Sequence, residues 1–247
     1  MTDIWLYTLG SVGLVSLISL IGVVALSVTA ERLAYFLLPL VSFAAGALLG
    51  DVFIHILPEI MEGGQGVAAG GAVLGGIFLF FVLERLLRWH HSHSSHDESV
   101  HSAAHLTIVG DALHNFLDGV AIAAAFLISP PVGIATTAAV IFHEVPQELG
   151  QFAVLLHGGW SARKALFYNF ISALTAIAGA VAALLFSQSF AQAPTALLGL
   201  SAASFIYVAM ADLIPELQKE SRAPQFILHL VMMILGVGTM VALLAFE

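Results

Sequence analysis

The sequence predicts an all-α integral membrane protein with eight transmembrane helices. Of its 247 residues, 60% are apolar and only 9% are charged, whereas a water-soluble chain carries roughly 25% charged residues. The mean hydropathy is +1.00. The apolar residues also fall into separate long stretches with polar breaks between them, which is the pattern of a chain that crosses a membrane several times.

The apolar stretches give the eight helices in order. A helix needs about 20 apolar residues to cross a hydrocarbon core of about 30 Å, and each stretch has that length. The expected spans run from about 4 to 28, 34 to 58, 67 to 88, 104 to 128, 131 to 157, 163 to 187, 194 to 217 and 223 to 246. We treat residues 1–247 as a single transmembrane domain.

The basic residues orient these spans. They are Arg32, Arg85, Arg88, Arg163, Lys164, Lys219 and Arg222. All seven fall in alternate connections, and the connections near 62–71, 129–133 and 188–194 contain no Lys or Arg. Because cytoplasmic loops carry the excess of Lys and Arg, the sequence predicts a multi-pass protein of the plasma or inner membrane with both termini outside.

One segment, residues 89–104, has the composition of a soluble loop between the third and fourth spans. It is rich in His and Ser, and the charge rule makes it cytoplasmic. A His-rich tract of this kind binds metal weakly and without fixed geometry, and a merely polar loop is the alternative. The candidate metal-binding residues of this loop are His90, His91, His93 and His96.

Composition also limits the partners. The chain has no cysteine, so disulfides, thiolate zinc sites and iron–sulfur clusters are excluded, and a metal ion must be held by imidazole, carboxylate, amide or water. A net charge of −9 argues against nucleic acid, which needs a basic surface, and it favours cations. The expected partners are the lipid bilayer and a cation, and a homodimer is a candidate assembly.

Polar residues are concentrated in the fourth span, where lipid would be the surroundings. His114 and Asp118 are four residues apart and therefore share one face of a helix. Asp111 lies one turn before them, and Asn115 follows His114 directly.

The fifth span carries a matching set. His143 and Gln147 are four residues apart, and Glu144 and Glu148 repeat that spacing on the adjacent face. Pro146 removes one backbone donor within the same stretch and frees a carbonyl oxygen. The fifth helix therefore offers a broad polar strip.

These buried acids require a counter-ion. A carboxylate in mid-membrane costs roughly 2.5–3.5 kcal/mol, so Asp111, Asp118, Glu144 and Glu148 would cost about 10 kcal/mol if left unpaired. No Lys or Arg lies in the interior of any expected span, because Arg85, Arg88, Arg163 and Lys164 stand at span ends. A divalent cation held by two neutral His and two ionised carboxylates gives zero formal charge, which a low-dielectric interior favours.

The motifs resemble those of the ZIP (Zrt-, Irt-like protein) metal transporters, of the His-rich HNxxDG and HExPxE type. HNFLDG at 114–119 and HEVPQELG at 143–150 are similar to the two signature helices of that family, and GDVFIHILPE at 50–59 is similar to its second helix. The resemblance covers the whole chain and implies a 3+2+3 helix bundle with inverted symmetry. It implies transport of zinc, or of iron, manganese or cadmium, toward the cytoplasm.

The resemblance also implies the site residues. It assigns Asp51 and His55 to the entrance. Gln147 stands where the His-rich relatives have a second His, and Ser172 stands where other members place a Glu for a second metal, so we expect one principal ion. The implied metal ligands are His114, Asn115, Asp118, His143, Glu144 and Gln147.

Further acids are candidates for secondary or exit positions, namely Asp111, Glu148, Asp212 and Glu216. The seventh span echoes the second, because LPE at 57–59 follows Asp51 and IPE at 214–216 follows Asp212. The echo fits an inverted repeat of the kind found in many transporters. Punctuation of two helix ends by Pro-Glu explains it equally well.

Other functions compete with transport. His143-Glu144 begins an HExxH motif, whose Glu is the general base of zinc hydrolases, so an intramembrane metal-dependent hydrolase is the alternative. Gln147 occupies the place of the second His, and we therefore expect a transporter and not an enzyme. A retinal-type receptor would need a Lys inside a span, but Lys164 and Lys219 lie in connections. A metal-sensing scaffold would bind metal without moving it.

Overall fold

A computed structural model describes residues 2–25, 30–62, 66–91, 99–157, 159–187, 193–219 and 223–246. These residues are almost entirely helical and contain no strand. The α-helices are α1 (Thr2–Ile18), α2 (Gly22–Ala25), α3 (Ala30–Gly50), α4 (Leu57–Glu62), α5 (Gly66–His91), α6 (Ser99–Ile128), α7 (Pro130–His157), α8 (Ala162–Ala173), α9 (Thr175–Ser187), α10 (Ala193–Tyr207), α11 (Ile214–Gln218) and α12 (Ala223–Leu243). Short 3₁₀ segments, Ser19–Ile21 and Leu244–Phe246, follow α1 and α12.

Seven helical segments among the described residues are long and apolar enough to cross a membrane. They match the first four and the last three spans expected from the sequence. The remaining one, α7, has 28 residues and runs unbroken through Pro146, but its polar strip lowers its mean hydropathy. Large apolar side chains such as Phe78 and Phe226 are exposed on the outer helices, at 61% and 62%, which suits contact with lipid. The chain is therefore an α-helical, multi-pass membrane protein.

The second and seventh spans share a feature that sequence periodicity does not show. Each contains a six-residue π-helix, Asp51–Ile56 between α3 and α4 and Val208–Leu213 between α10 and α11. A proline follows each π-helix, two residues after its last residue. These prolines are Pro58 and Pro215. A wider turn before a proline relieves the clash of its ring with the preceding carbonyl. His55 and Asp212 thus occupy the same place in the two spans.

The helices pack in two groups. One group contains α1, α6, α7, α8 and α9, and the other contains α3, α4, α5, α10, α11 and α12. The groups meet where α3 lies against α7 and where α10 lies against α6. The polar residues of the fourth and fifth spans are on α6 and α7 and belong to the first group, whereas Asp51 and Asp212 belong to the second.

Glycine allows the closest approach within the first group. A Cβ on Gly119 of α6 would lie 1.9 Å from the carbonyl oxygen of Ala176 in α9, and a Cβ on Gly179 of α9 would lie 1.9 Å from the carbonyl oxygen of Phe116. The two backbones therefore touch directly, as small residues permit in membrane helices. The contact holds α6 against α9 at Gly119, the residue that follows Asp118.

A second reciprocal glycine pair joins α3 to α12 in the other group. A Cβ on Gly46 would lie 2.1 Å from the carbonyl oxygen of Met233, and a Cβ on Gly236 would lie 2.2 Å from that of Phe43. Among the described residues, each group thus contains a reciprocal glycine contact that a Cβ on either glycine would obstruct.

Candidate metal site

Four side chains from α6 and α7 converge on one point. His114, Asp118, His143 and Glu144 each offer a ligand atom, and these atoms lie within 4.8 Å of one another. The Nε2 atoms of the two His are 3.0 Å apart. His143 Nε2 lies 3.1 Å from Asp118 Oδ2 and 3.5 Å from Glu144 Oε1. His114 Nε2 lies 3.5 Å and 3.4 Å from the same two oxygens.

Helix geometry explains why the sequence forms this four-residue cluster. His114 and Asp118 stack at i and i+4 on α6, while His143 and Glu144 are consecutive on α7. The Gly119 contact with α9 holds the part of α6 that carries Asp118. Asp118, His143 and Glu144 are at most 1% exposed, and His114 is 15% exposed. Three of the four side chains are therefore buried, and the cluster is partly exposed at His114.

Hydrogen bonding orients His143 toward the centre of the cluster. Its Nδ1 lies 3.2 Å from the carbonyl oxygen of Ala139. A carbonyl only accepts, so Nδ1 carries a proton, and Nε2 faces the two carboxylates. A partner on the second ring nitrogen is the usual arrangement for a metal-binding His.

The carboxylates of the cluster lack the partners that buried acids normally have. Within the described residues, both oxygens of Asp118 and Glu144 Oε1 are buried and accept no hydrogen bond. The described ion pairs at these groups involve only His114 and His143. Buried polar atoms are almost always satisfied, so the donor set fits a divalent cation as bound cargo. Two imidazoles with carboxylate oxygens and no thiolate suit zinc and its neighbours.

The two amides implied as ligands lie beside this cluster. Asn115 is fully buried, and its Nδ2 donates to the backbone oxygen of Asp111 at 3.2 Å, which leaves Oδ1 without a hydrogen bond among the described residues. Gln147 lines the cavity described below. Their role as ligands stays a prediction.

The acids Asp111 and Glu148 lie outside the four-residue cluster and contact α8 instead. The hydroxyl of Ser172 donates to Asp111 Oδ2, and the amide of Asn169 donates to Glu148 Oε2. Ser172, which the resemblance places where other members have a Glu for a second metal, is therefore a hydrogen-bond partner of Asp111. The linear pattern does not predict the pairing of Asn169 with Glu148, because it joins side chains on two different helices, 21 positions apart.

The two residues that the resemblance assigns to the entrance are buried. Asp51 is 0% exposed and His55 is 2% exposed. The hydroxyl of Thr136 in α7 donates to Asp51 Oδ2 at 3.0 Å. His55 Nε2 donates to the backbone oxygen of Met240 at 3.0 Å. A hydroxyl within an apolar span is too common for the sequence to have singled out Thr136.

A large cavity reaches the cluster from the opposite direction. It has a volume of about 720 Å³, and its walls come from α3, α6, α7 and the end of the seventh span. Asp212 and Glu216 are exposed there, and Glu216 forms an ion pair with Lys219. The polar residues that line it are Asp111, His114, Gln147, Gln151, Asp212 and Glu216.

The His-rich segment is only partly described. Helix α5 extends to His91 and α6 begins at Ser99, so helix enters the expected 89–104 loop from both ends. The side chains of His90, His91, His93 and His96 lie outside the described residues, and their metal binding stays a prediction.

Comparison with known proteins identifies a family. A family model described as "ZIP Zinc transporter" matches residues 2–107 and 88–244. The chain is 29% identical to zinc transporter zipt-7.2 of Caenorhabditis elegans, over 100% of the chain and 67% of that protein. It is 31% identical to zinc transporter YKE4 of Saccharomyces cerevisiae, over 77% of the chain and 64% of that protein. It is also 31% identical to zinc transporter ZIP13 of Pongo abelii, over 86% of the chain and 68% of that protein. The chain thus spans about two thirds of the length of these relatives, none of which is named a hydrolase.

Proposed function

The chain belongs to the ZIP zinc transporter family, and on that premise we propose that it carries divalent transition-metal ions across a membrane. Zinc is the cargo that we expect first, with iron, manganese and cadmium as further candidates. We propose movement toward the cytoplasm. The family names offer no support for a hydrolase, and Gln147 stands where the second His of an HExxH zinc site would be needed.

One observation carries the proposal, namely the convergence of His114, Asp118, His143 and Glu144 within 4.8 Å. Two neutral imidazoles and two carboxylates with one dication have zero formal charge. That balance removes the large penalty of isolated charge in a low-dielectric interior. Without a cation, neither Asp118 oxygen accepts a hydrogen bond among the described residues, and its described ion-pair partners are the two imidazoles of the same cluster.

We propose a ligand set of six residues around one principal ion. Asn115 Oδ1 and the Gln147 amide oxygen would complete the coordination with neutral donors. An amide is a harder and weaker ligand than imidazole, which suits an ion that must leave again. The proposed set is His114, Asn115, Asp118, His143, Glu144 and Gln147.

We propose that α7 is a further transmembrane helix, which gives eight spans in a 3+2+3 inverted-repeat bundle. The matching π-helices at 51–56 and 208–213 support this repeat. Both termini would lie outside the plasma or inner membrane, and 89–104 would be cytoplasmic, as the basic residues indicate. Residues 1–247 would form one transporter domain, and a homodimer remains a proposal.

The proposed route runs from Asp51 and His55 to the four-residue cluster, and from there through the 720 Å³ cavity. Asp212 and Glu216 would receive the ion near its exit, and Asp111 and Glu148 would serve as secondary acids. The cavity reaches the cluster while the entrance residues are buried, so this conformation would release metal on the cytoplasmic side. Rocking of one helix group against the other would expose the entrance.

Zinc influx into proteoliposomes tests this function. His114→Ala and Asp118→Ala should each lower the flux by more than the ~10-fold that loss of an outer-shell partner costs. His229→Ala is the matched control, because His229 is a buried imidazole (6% exposed) on α12, away from the cluster. Wild-type flux in either cluster variant would contradict the proposed site. Zinc binding without flux in the unaltered protein would favour a metal-sensing scaffold.

A further inference from the structure

The two ends of the proposed route differ in this conformation. Asp51 and His55 are at most 2% exposed, so an ion arriving at the entrance has no access to them. The 720 Å³ cavity, by contrast, reaches His114 and is lined by the exposed Asp212 and Glu216. We therefore looked for a contact that holds the second span against α7 near Asp51.

A hydrogen bond between the two helix groups lies at that position. Thr136 of α7 is 0% exposed, and its hydroxyl donates to Asp51 Oδ2 at 3.0 Å. Asp51 begins the π-helix that follows α3, so the bond joins the second span to the group that carries the four-residue cluster. Hydrogen bonds to charged groups are stronger than those between neutral groups.

Thr136 also lies in line with the cluster. Thr136, Val140 and Glu144 are spaced by four residues and follow one face of α7. Val140 is 0% exposed. An ion moving from Asp51 to Glu144 would travel along this face, and the α7 face would have to part from the second span to admit it.

We propose that Thr136 is a positioning residue that closes the entrance by occupying Asp51. The carboxylate oxygen that would take an incoming metal ion is bound to the Thr136 hydroxyl when the cavity side is open. Entry then requires Asp51 to exchange the hydroxyl for the ion, so entrance closure and metal release from Asp51 occur together. This inference rests on the proposed transport function and assigns a role to a residue outside the ligand set.

The absence of cysteine from the chain permits a test by site-specific labelling. A Val140→Cys reporter is placed in the full chain, the protein is sealed into vesicles without metal, and a membrane-impermeant maleimide is added on the side away from the cavity. A separate Val154→Cys variant, at a cavity-lining position that is 48% exposed, establishes which side that is.

Adding Thr136→Val to the reporter should raise its labelling rate about tenfold, the shift expected on losing a hydrogen bond to a charged acceptor. Thr137→Val is the matched control, since the Thr137 hydroxyl donates within its own helix, to the Gly133 carbonyl oxygen at 2.6 Å. Thr136→Ser keeps the hydroxyl and should label at the rate of the reporter alone.

Equal labelling rates in Thr136→Val and Thr137→Val would overturn the proposal. If Thr136→Val fails to fold, Thr136→Ala gives the same comparison with a smaller side chain. The measurement contains no metal, so its outcome is separate from that of the zinc-flux test. Loss of flux in His114→Ala with unchanged labelling in Thr136→Val would leave transport standing and remove this role of Thr136.

Discussion

Replacing Gly119 with alanine would test how the four-residue cluster is held in place. The new Cβ would lie 1.9 Å from the carbonyl oxygen of Ala176, whereas ordinary contact begins at 3.4 Å. The backbones of α6 and α9 would have to move apart by the difference, about 1.5 Å. Overpacking of this kind typically destabilises a protein by ~1–3 kcal/mol. Asp118 immediately precedes Gly119, so the movement would also displace a carboxylate of the cluster.

We expect Gly119→Ala to lower the melting temperature in detergent and to weaken zinc binding measured by calorimetry by at least about tenfold. Gly110→Ala is the matched control, because it adds the same methyl group to the same helix with no atom within 4 Å. Gly179→Ala should resemble Gly119→Ala, and the double variant should lose less than the sum of the two, because one separation relieves both clashes. Identical behaviour of Gly119→Ala and Gly110→Ala would refute the reasoning.

Three further outcomes follow from the site. Zinc binding should be weaker at pH 5.5 than at pH 7.5, because imidazole binds metal only when neutral and metal binding releases protons; calorimetry at the two pH values checks this, and equal affinities would contradict it. Gln147→His should strengthen zinc binding relative to manganese, because imidazole is the softer ligand; a competition assay in which manganese gains as much as zinc would contradict it. Asn169→Ala should destabilise the protein by ~1–3 kcal/mol, because Glu148 loses a buried donor, whereas Ser187→Ala, whose hydroxyl bonds within its own helix, should change its melting temperature little.

The sequence alone predicted those features of the site that depend on the geometry of a single helix. The i and i+4 spacing of His114 and Asp118 places them on one face of any helix, and the structure brings both within reach of His143 and Glu144. The sequence also predicted the seven helices that are long and apolar enough to cross a membrane, whereas α7 does not reach that hydropathy. The same polar strip that marks α7 as functional lowers its hydropathy, so the most informative span gives the weakest membrane signal.

Contacts between distant segments were not readable in this way. The bond from Thr136 to Asp51 joins residues 85 positions apart, and the reciprocal contact of Gly46 with Gly236 depends on how α3 and α12 cross. Small residues and hydroxyls occur throughout the spans, so their composition does not identify the few that meet a partner. These contacts depend on how the helices pack together, and the spacing of residues along one helix does not predict which helices meet.

The paired π-helices make the length of two spans as important as their composition. At the end of each segment a backbone N–H bonds five residues back, from Leu57 to Val52 and from Ile214 to Ala209, which accommodates one residue more than α-helical geometry allows. Deleting a single residue from 51–56 or 208–213 would restore the regular register and rotate everything beyond by about 100°. Glu59 or Glu216 would then face a different neighbour, so a one-residue deletion there would disrupt the protein more than many point substitutions would.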